Sequence, residues 1–286
     1  MKFSLVVCSL GRTIELANLF ESLNVQDYED FEVIVVDQND DDRLVGILSD
    51  GKWKFPVIHV RTPDSRGASR ARNNGWRVAR GEIITFPDDD CWYPSWMLSK
   101  ALRILEEKKA DMVTGRAADV TGRSINARFE KTAQVISLRN LWSTHIEWVA
   151  FFRRAAFEMI GGYDEDIGPG ASTPWQACEA QDLSMRALRH KLRCYFDPDL
   201  YAHHKEAIVT DPDDMITGKQ RGYARGMGYV LRKHGFGIFH LIYWIARPTG
   251  GAIYYFLQNK PNRSKYSATV VMGRVEGWLR VRPTRV

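Results

Sequence analysis

Phe86-Pro87-Asp88-Asp89-Asp90-Cys91-Trp92-Tyr93-Pro94 follows the apolar run Glu82-Ile83-Ile84-Thr85-Phe86 and precedes a helix-like stretch from Ser95 to Lys108. Three adjacent carboxylates at a strand end repel one another, and an uncompensated triplet is costly to fold. A hard divalent cation removes that cost, because Mg²⁺ and Mn²⁺ prefer carboxylate oxygens and bridge readily to phosphates. Open α/β sheets place their ligand crevice at the carboxyl ends of strands, where this triplet falls. A run of acids is otherwise a solvated turn. The reading therefore depends on what else the chain brings to its strand ends.

Phe3 to Cys8 and Phe31 to Val36 are continuous apolar, β-branched runs of strand length. Such runs suit a parallel sheet covered on both faces. Val57 to Val60 is a weaker third strand and Glu82 to Phe86 a fourth, with helical spacing from Ile14 to Leu23 and from Ser69 to Ala79 between them. Alternation of strand and helix through the first third of the chain predicts a doubly wound α/β domain. Further on, strands are expected at Ala110–Thr114, Glu147–Phe152 and Arg193–Phe196, and helices at Arg154–Ile160 and Glu179–His190. Residues 115–141 read as a loop or edge hairpin, and 163–174 as a Gly/Pro/Asp-rich loop.

Charge divides the chain unevenly. Residues 215–286 hold 13 Lys and Arg against one acid, Glu276, a net +12, so the preceding 214 residues carry −7 of the overall +5. A basic tail on an acidic body points to an anionic partner. Within the tail, Phe236 to Ala246 is apolar and aromatic, too short to span a bilayer before Arg247-Pro248 is expected to break it, and Ala252 to Leu257 adds a second short piece. Aromatics flanked by Lys and Arg suit contact with an anionic membrane surface. No nucleic-acid module is recognisable, since the aromatics cluster in one block instead of interleaving with the charges. The division expected is a domain over 1–212 and a helical accessory region over 213–286. Cys8, Cys91, Cys178 and Cys194 form no CxxC pair, which reads as a reducing compartment without disulfides. The N-terminal apolar run reads as a first strand and not a signal peptide. The expected location is cytoplasmic, peripheral at the inner face of the membrane.

Four features now fall at strand ends or in the loops beyond them. The first strand closes on Cys8-Ser9-Leu10-Gly11-Arg12, the second on Asp37, Gly67 to Asn73 opens a helix, and the fourth strand leads into Asp88 to Asp90. An aspartate at Asp37 can accept the imide N–H of a uracil ring. Arg70 and Arg72 suit a diphosphate, because the guanidinium presents a fork of donors.

In this order the features resemble family 2 glycosyltransferases with the GT-A fold. The matching residues are Val6-Val7-Cys8-Ser9-Leu10-Gly11-Arg12, Val35-Val36-Asp37, Gly67-Ala68-Ser69-Arg70-Ala71-Arg72-Asn73 and Phe86-Pro87-Asp88-Asp89-Asp90, then Gly161-Gly162-Tyr163-Asp164-Glu165, Glu179-Ala180-Gln181-Asp182-Leu183 and His203-His204. The likeness runs from about residue 3 to about residue 204. It implies a GT-A domain, Rossmann-like with a mostly parallel sheet, carrying a C-terminal helical appendage. It further implies that a nucleotide-sugar donor, UDP-linked, is held by Ser9, Arg12, Asp37, Arg70, Arg72, Asp88 and Asp89. Mn²⁺ or Mg²⁺ would be bound by Asp88 and Asp90 with His204, His203 standing close behind.

Inverting transfer also needs a base for the acceptor hydroxyl. In the family that base is often the aspartate of a Glu-Asp-x-Asp run, and here Ala180 stands in its place. Glu179, and then Asp182 one helical turn on, are the candidates; Asp164 or Glu165 in the Gly-rich loop are others. The expected function is metal-dependent, inverting transfer of a sugar to a glycan or lipid-linked acceptor. The alternative is a non-catalytic sugar-nucleotide or glycan-binding module that lost its base at Ala180.

Overall fold

The computed structural model describes residues 1–280. Contacts divide the chain into two units. The first comprises Met1–Arg66, Arg70–Tyr163 and Leu183–Ala207; the second comprises Gly67–Ser69, Asp164–Asp182 and the chain from Ile208 onward.

The first unit is built on eight strands: β1 (Phe3–Ser9), β2 (Phe31–Asp37), β3 (Val57–Arg61), β4 (Ile83–Thr85), β5 (Met112–Ala118), β6 (Gln134–Val135), β7 (Ala150–Arg153) and β8 (Cys194–His203). They form one sheet in the order β3-β2-β1-β4-β7-β5-β8-β6. All of β2 and all of β1 but Cys8 are buried, as a strand covered on both faces must be. β1 pairs in parallel with β2 and β4, and β2 with β3. β7 enters antiparallel between β4 and β5, while β5 and β8 are parallel again. The expected strand at Glu147 starts later, because Glu147–Val149 first makes a 3₁₀ turn. β8 extends well past Phe196, so that His203 ends it. Residues 115–141 are largely irregular, with β6 as a two-residue edge strand on β8.

Helices α1 (Ile14–Asn24), α2 (Val45–Leu48), α3 (Ala68–Val78), α4 (Met97–Glu107), α5 (Arg154–Ile160) and α6 (Glu179–Arg189) follow the strands. In α4 the buried residues are Met97, Leu98, Ala101, Ile104 and Leu105, the single stripe a sheet-covering helix needs. They join Phe3, Leu5, Val7, Val33, Val35 and Phe151 in one apolar core.

The second unit is carried by α7 (Asp214–Lys233), α8 (Ile238–Leu257) and α9 (Pro261–Arg280). Asp213 caps α7, accepting a 2.7 Å hydrogen bond from the Ile216 amide. α7 and α9 meet backbone to backbone: a Cβ at Gly277 would stand 2.0 Å from the Arg225 carbonyl oxygen, so only glycine fits there. The residues 281–286 that end the expected basic region lie outside the described residues.

One expectation is overturned here. Pro248 does not break the apolar stretch; α8 runs through it as a single helix of 20 residues. A proline lacks the N–H that the Trp244 carbonyl would accept, which ordinarily stops or kinks a helix. Nη1 of Arg274 on α9 donates to that carbonyl instead. A substitute donor from another helix is a tertiary remedy that local sequence does not display. No helix among the described residues is long and apolar enough to cross a membrane.

Glu276 ties α9 to α7. It accepts from Arg221 Nη2, and its Oε2 from Arg225 Nε at 2.6 Å. These hydrogen bonds, Arg221 first, pull its pKa down to about 2 against the smaller upward push of burial. A depressed carboxylate stabilises the fold above its unfolded value near 4.5 and loses that contribution as pH falls toward 2. The loss is on the order of 2 kcal/mol after allowing for partial exposure. In Glu276→Gln, urea midpoints at pH 7 and pH 3 are therefore expected to differ by less than in the wild type. An unchanged pH dependence would show that these pairs add nothing.

Candidate active site at the carboxyl ends of the sheet

In β1–β2 register Ser9 stands opposite Asp37, and Cys8 bridges to Asp88 just past β4. Asp37 and the acidic triplet thus flank the end of β1, one on each side, about two strand spacings (roughly 10 Å) apart. Asp37 is fully buried. Its Oδ1 accepts from the backbone amide and side-chain amide of Asn39 at 2.9 and 2.8 Å, and its Oδ2 from Nε2 of His59 at 2.9 Å. Asn39 is held in turn by the Gly11 amide, 2.7 Å from its Oδ1. Neither His59 nor Asn39 was singled out in the sequence. For His59 the faint signal was its place in the weak strand β3, opposite Val35.

Each acid of the triplet has a basic partner from elsewhere in the chain. Arg72 Nη2 donates to Asp88 Oδ1 at 3.2 Å, and Arg12 forks across Asp89 Oδ1 at 2.5 Å and Asp90 Oδ2 at 2.7 Å. His204 Nε2 lies 3.1 Å from Asp90 Oδ1. The premise that a metal must offset the triplet's repulsion is therefore corrected: side chains do so. Burial pushes the Asp89 pKa up, beyond what Arg12 pulls back. At Asp90 burial also pushes upward, but the His204 hydrogen bond, its charge and Arg12 outweigh it and hold the carboxyl below its ordinary range. His204 is raised in turn, chiefly by its hydrogen bond to Asp90.

The two histidines face apart, as consecutive residues of an extended chain do. His204 donates its Nδ1–H to the Lys205 carbonyl at 2.7 Å, which leaves Nε2 directed at Asp90. That arrangement orients an imidazole for a metal. His203 stacks on Trp92 with ring centroids 5.6 Å apart, and its Nδ1 bonds the Asp119 carbonyl at 2.8 Å. The structure brings Asp90 and His204 together and turns His203 toward Trp92. Among the described residues no group of three or more His, Cys, Asp or Glu is gathered as a ready metal cage. Of the two expected diphosphate ligands, Arg72 is buried over the Tyr163 ring, 5.4 Å from its centroid, and Arg70 is half-buried on the first turn of α3.

Behind these groups lies a buried polar cluster that sequence reasoning missed. Tyr163 donates its hydroxyl proton to Glu147, and His145 Nδ1 shares a 2.6 Å hydrogen bond with Ser184 Oγ. Burial pulls the His145 pKa down to about 3, so it is neutral. Cys8 is pushed up to about 12, by burial above all, and is an inert thiol.

Glu179 and Asp182 sit in the first turn of α6, in the second unit. Asp182 is 0 % exposed, with Lys233 Nζ 2.7 Å and His234 Nε2 2.8 Å from its Oδ1. Lys233 also bonds Asp164 Oδ2 at 2.5 Å. Glu179 lies against Gly168, where a Cβ would stand 3.3 Å from its Oε2. Cys178, immediately before α6, has φ +74°. That left-handed conformation is strained for a residue with a side chain, and strain of this kind gathers where a functional group is being aimed.

The profile of the family described as Glycosyl transferase family 2 matches residues 4–161. An uncharacterized glycosyltransferase of Haemophilus influenzae is 37% identical over 105 residues, covering 36% of this chain and 34% of that one. The poly(ribitol-phosphate) beta-N-acetylglucosaminyltransferase TarS of Staphylococcus aureus is 30% identical over 145 residues, 49% of this chain and 25% of that enzyme. The chain thus spans about a third or a quarter of the length of these relatives. Among solved structures, residues 1–349 of S. aureus TarS superpose with a TM-score of 0.60 over 96% of this chain and 90% of that one, at 19% identity. The mannosyltransferase PcManGT of Pyrobaculum calidifontis, solved with GDP-Man and Mn²⁺, gives 0.63 over 98% and 88% at 15% identity. Strand order, strand-end acids and family profile agree: the chain belongs to glycosyl transferase family 2, on a GT-A type of fold.

Proposed function

We propose that the chain is a metal-dependent, inverting glycosyltransferase that moves a sugar from a UDP-linked donor to a hydroxyl of a glycan or lipid-linked acceptor. One observation carries the reading: Asp37 and the Asp88–Asp90 triplet flank the end of one buried parallel strand, and the last acid of the triplet meets His204. Asp37 is assigned to the imide N–H of uracil, which would replace His59 at Oδ2 of this buried carboxylate. Arg72 and Arg12 meet the diphosphate. Asp90 and His204, 3.1 Å apart, would hold the cation. Mn²⁺ or Mg²⁺ supplies positive charge to the leaving diphosphate. Glu179 takes the acceptor's proton; Asp182 is engaged by Lys233 and His234. UDP is favoured because TarS has been solved with UDP-GlcNAc and with UDP, and the cation because PcManGT was solved with Mn²⁺.

A panel of nucleotide sugars tested by thermal shift, with and without Mn²⁺, decides the donor, because a bound donor raises Tm by mass action. A UDP-sugar that stabilises only with Mn²⁺ and is slowly hydrolysed supports the enzyme. Stabilisation without turnover, in wild type and Glu179→Gln alike, favours the binding-only reading that Ala180 admits.

The same reading places the enzyme on the cytoplasmic face of an anionic membrane. Phe239 (81 % exposed), Ile242, Tyr243, Ile253, Tyr254 and Leu257 form an uncovered apolar stripe at helical spacing along α8. Arg247, Lys260, Arg263 and Lys265 supply the complementary charge nearby in the chain. Flotation with phosphatidylglycerol-containing vesicles is expected for the wild type and reduced at least about tenfold in Phe239→Asp/Tyr243→Asp, a loss of at least about 1.4 kcal/mol. Equal flotation of both proteins would remove the membrane contact from the account.

A further inference from the structure

The second unit contains a cavity of about 370 Å³ that the donor reading does not use. One wall is the 164–182 loop, through Pro174 and Gln176; the other is α7, through Gly218, Lys219, Tyr223 and Arg225. The loop wall is preformed. Gln176 Oε1 accepts from the Gly170 amide at 2.9 Å, and its Nε2 donates to the carbonyls of Ala171 (2.8 Å) and Thr173. The Gln176 amide reaches the Gly222 carbonyl at 3.3 Å, and the Trp175 ring stacks on Tyr229 with centroids 4.6 Å apart. The helix wall is open, because a Cβ at Gly218 would meet nothing within 4 Å.

Its chemistry is that of an anion site with a ring-binding face. No carboxylate lines the cavity. Arg225 Nε is 2.6 Å from Glu276 Oε2, but that acid is shared with Arg221, so the local balance stays positive. Lys219 is exposed, has no ion pair among the described residues, and places its ammonium 5.5 Å from the Tyr223 ring centroid. An aromatic face takes the C–H side of a sugar or polyol, and paired cations take a phosphate.

We propose that this cavity binds a phosphate-bearing sugar or polyol unit of the acceptor. The proposal rests on the transferase reading for the word acceptor, and on the cavity alone for the ligand's chemistry. It names a substrate class, an anionic glycan, that the strand-end acids do not specify.

Calorimetric titration of the full chain with glucose 6-phosphate, glucose and inorganic phosphate tests it, beside Lys219→Glu and Gly218→Phe. Gly218→Phe adds a ring at the cavity's lining from a position where the Cβ itself meets nothing within 4 Å. Glucose 6-phosphate is expected to bind the wild type, at least tenfold more tightly than either glucose or phosphate alone, with affinity falling as salt rises. Both variants are expected to lose at least tenfold. Equal affinity in wild type and both variants, or equal binding of glucose and glucose 6-phosphate, overturns the proposal. So does a Gly218→Phe protein that keeps glucose 6-phosphate binding but no longer floats with phosphatidylglycerol vesicles, which would make a lipid headgroup the occupant. Titrating the wild type with UDP and Mn²⁺ separates the two readings: glucose 6-phosphate bound without UDP sinks the donor site and not this cavity, and UDP bound without glucose 6-phosphate does the reverse.

Discussion

Replacing Asp90 by alanine is expected to slow sugar transfer by about a thousandfold, roughly 4 kcal/mol of transition-state stabilisation, while the protein stays folded. The loss is large because Asp90 is the one acid of the triplet that meets a histidine and so offers a cation two ligands of different chemistry. Stability suffers little. Arg12 keeps Asp89, and His204 keeps its hydrogen bond to the Lys205 carbonyl. The net cost of the lost contacts is under about 2 kcal/mol. Donor hydrolysis with Mn²⁺, measured beside the urea midpoint, checks both halves. Full activity in Asp90→Ala contradicts the assignment, and a collapsed midpoint would mean that the acid serves the fold.

The reverse pattern is expected at Asp182. Its carboxylate is sealed from solvent against Lys233 and His234, both on or beside the end of α7. Removing the carboxylate takes a buried acceptor from His234, while Lys233 keeps Asp164, at a cost of about 1–3 kcal/mol. Asp182→Ala is expected to lose that much stability by urea denaturation. Glu179→Gln is expected to leave the midpoint unchanged and to slow transfer by about 10²–10⁴-fold, the usual worth of a general base. Should Asp182→Ala keep its stability and lose transfer while Glu179→Gln stays active, the two roles are exchanged.

These contrasts follow from contacts that span long separations in sequence, and such contacts mark where the sequence stops being legible. β1 and β2 could be read because a strand buried on both faces needs an unbroken apolar run, and Phe3–Cys8 and Phe31–Val36 supply one. The acids of the triplet could be read because their position after an apolar strand is itself local. Their partners could not: Arg12 is 77 residues from Asp89, and His204 is 114 from Asp90. The antiparallel insertion of β7 was equally hidden, since alternation and apolarity carry no strand direction. At Pro248 the local rule was sound and the outcome differed, because Arg274 replaces the missing donor from another helix. His204 was favoured over His203 by spacing alone, and the extended backbone between them is what sends one to Trp92 and the other to Asp90.

The claim on which the rest stands is that Asp90 and His204 share a cation that holds the donor's diphosphate. Calorimetric titration of UDP into wild type and Asp90→Asn, each with and without Mn²⁺, addresses it most directly. The account expects Mn²⁺ to tighten UDP binding at least tenfold in the wild type and to leave Asp90→Asn unaffected. UDP binding that ignores Mn²⁺ in the wild type, or that gains equally from Mn²⁺ in Asp90→Asn, would contradict it.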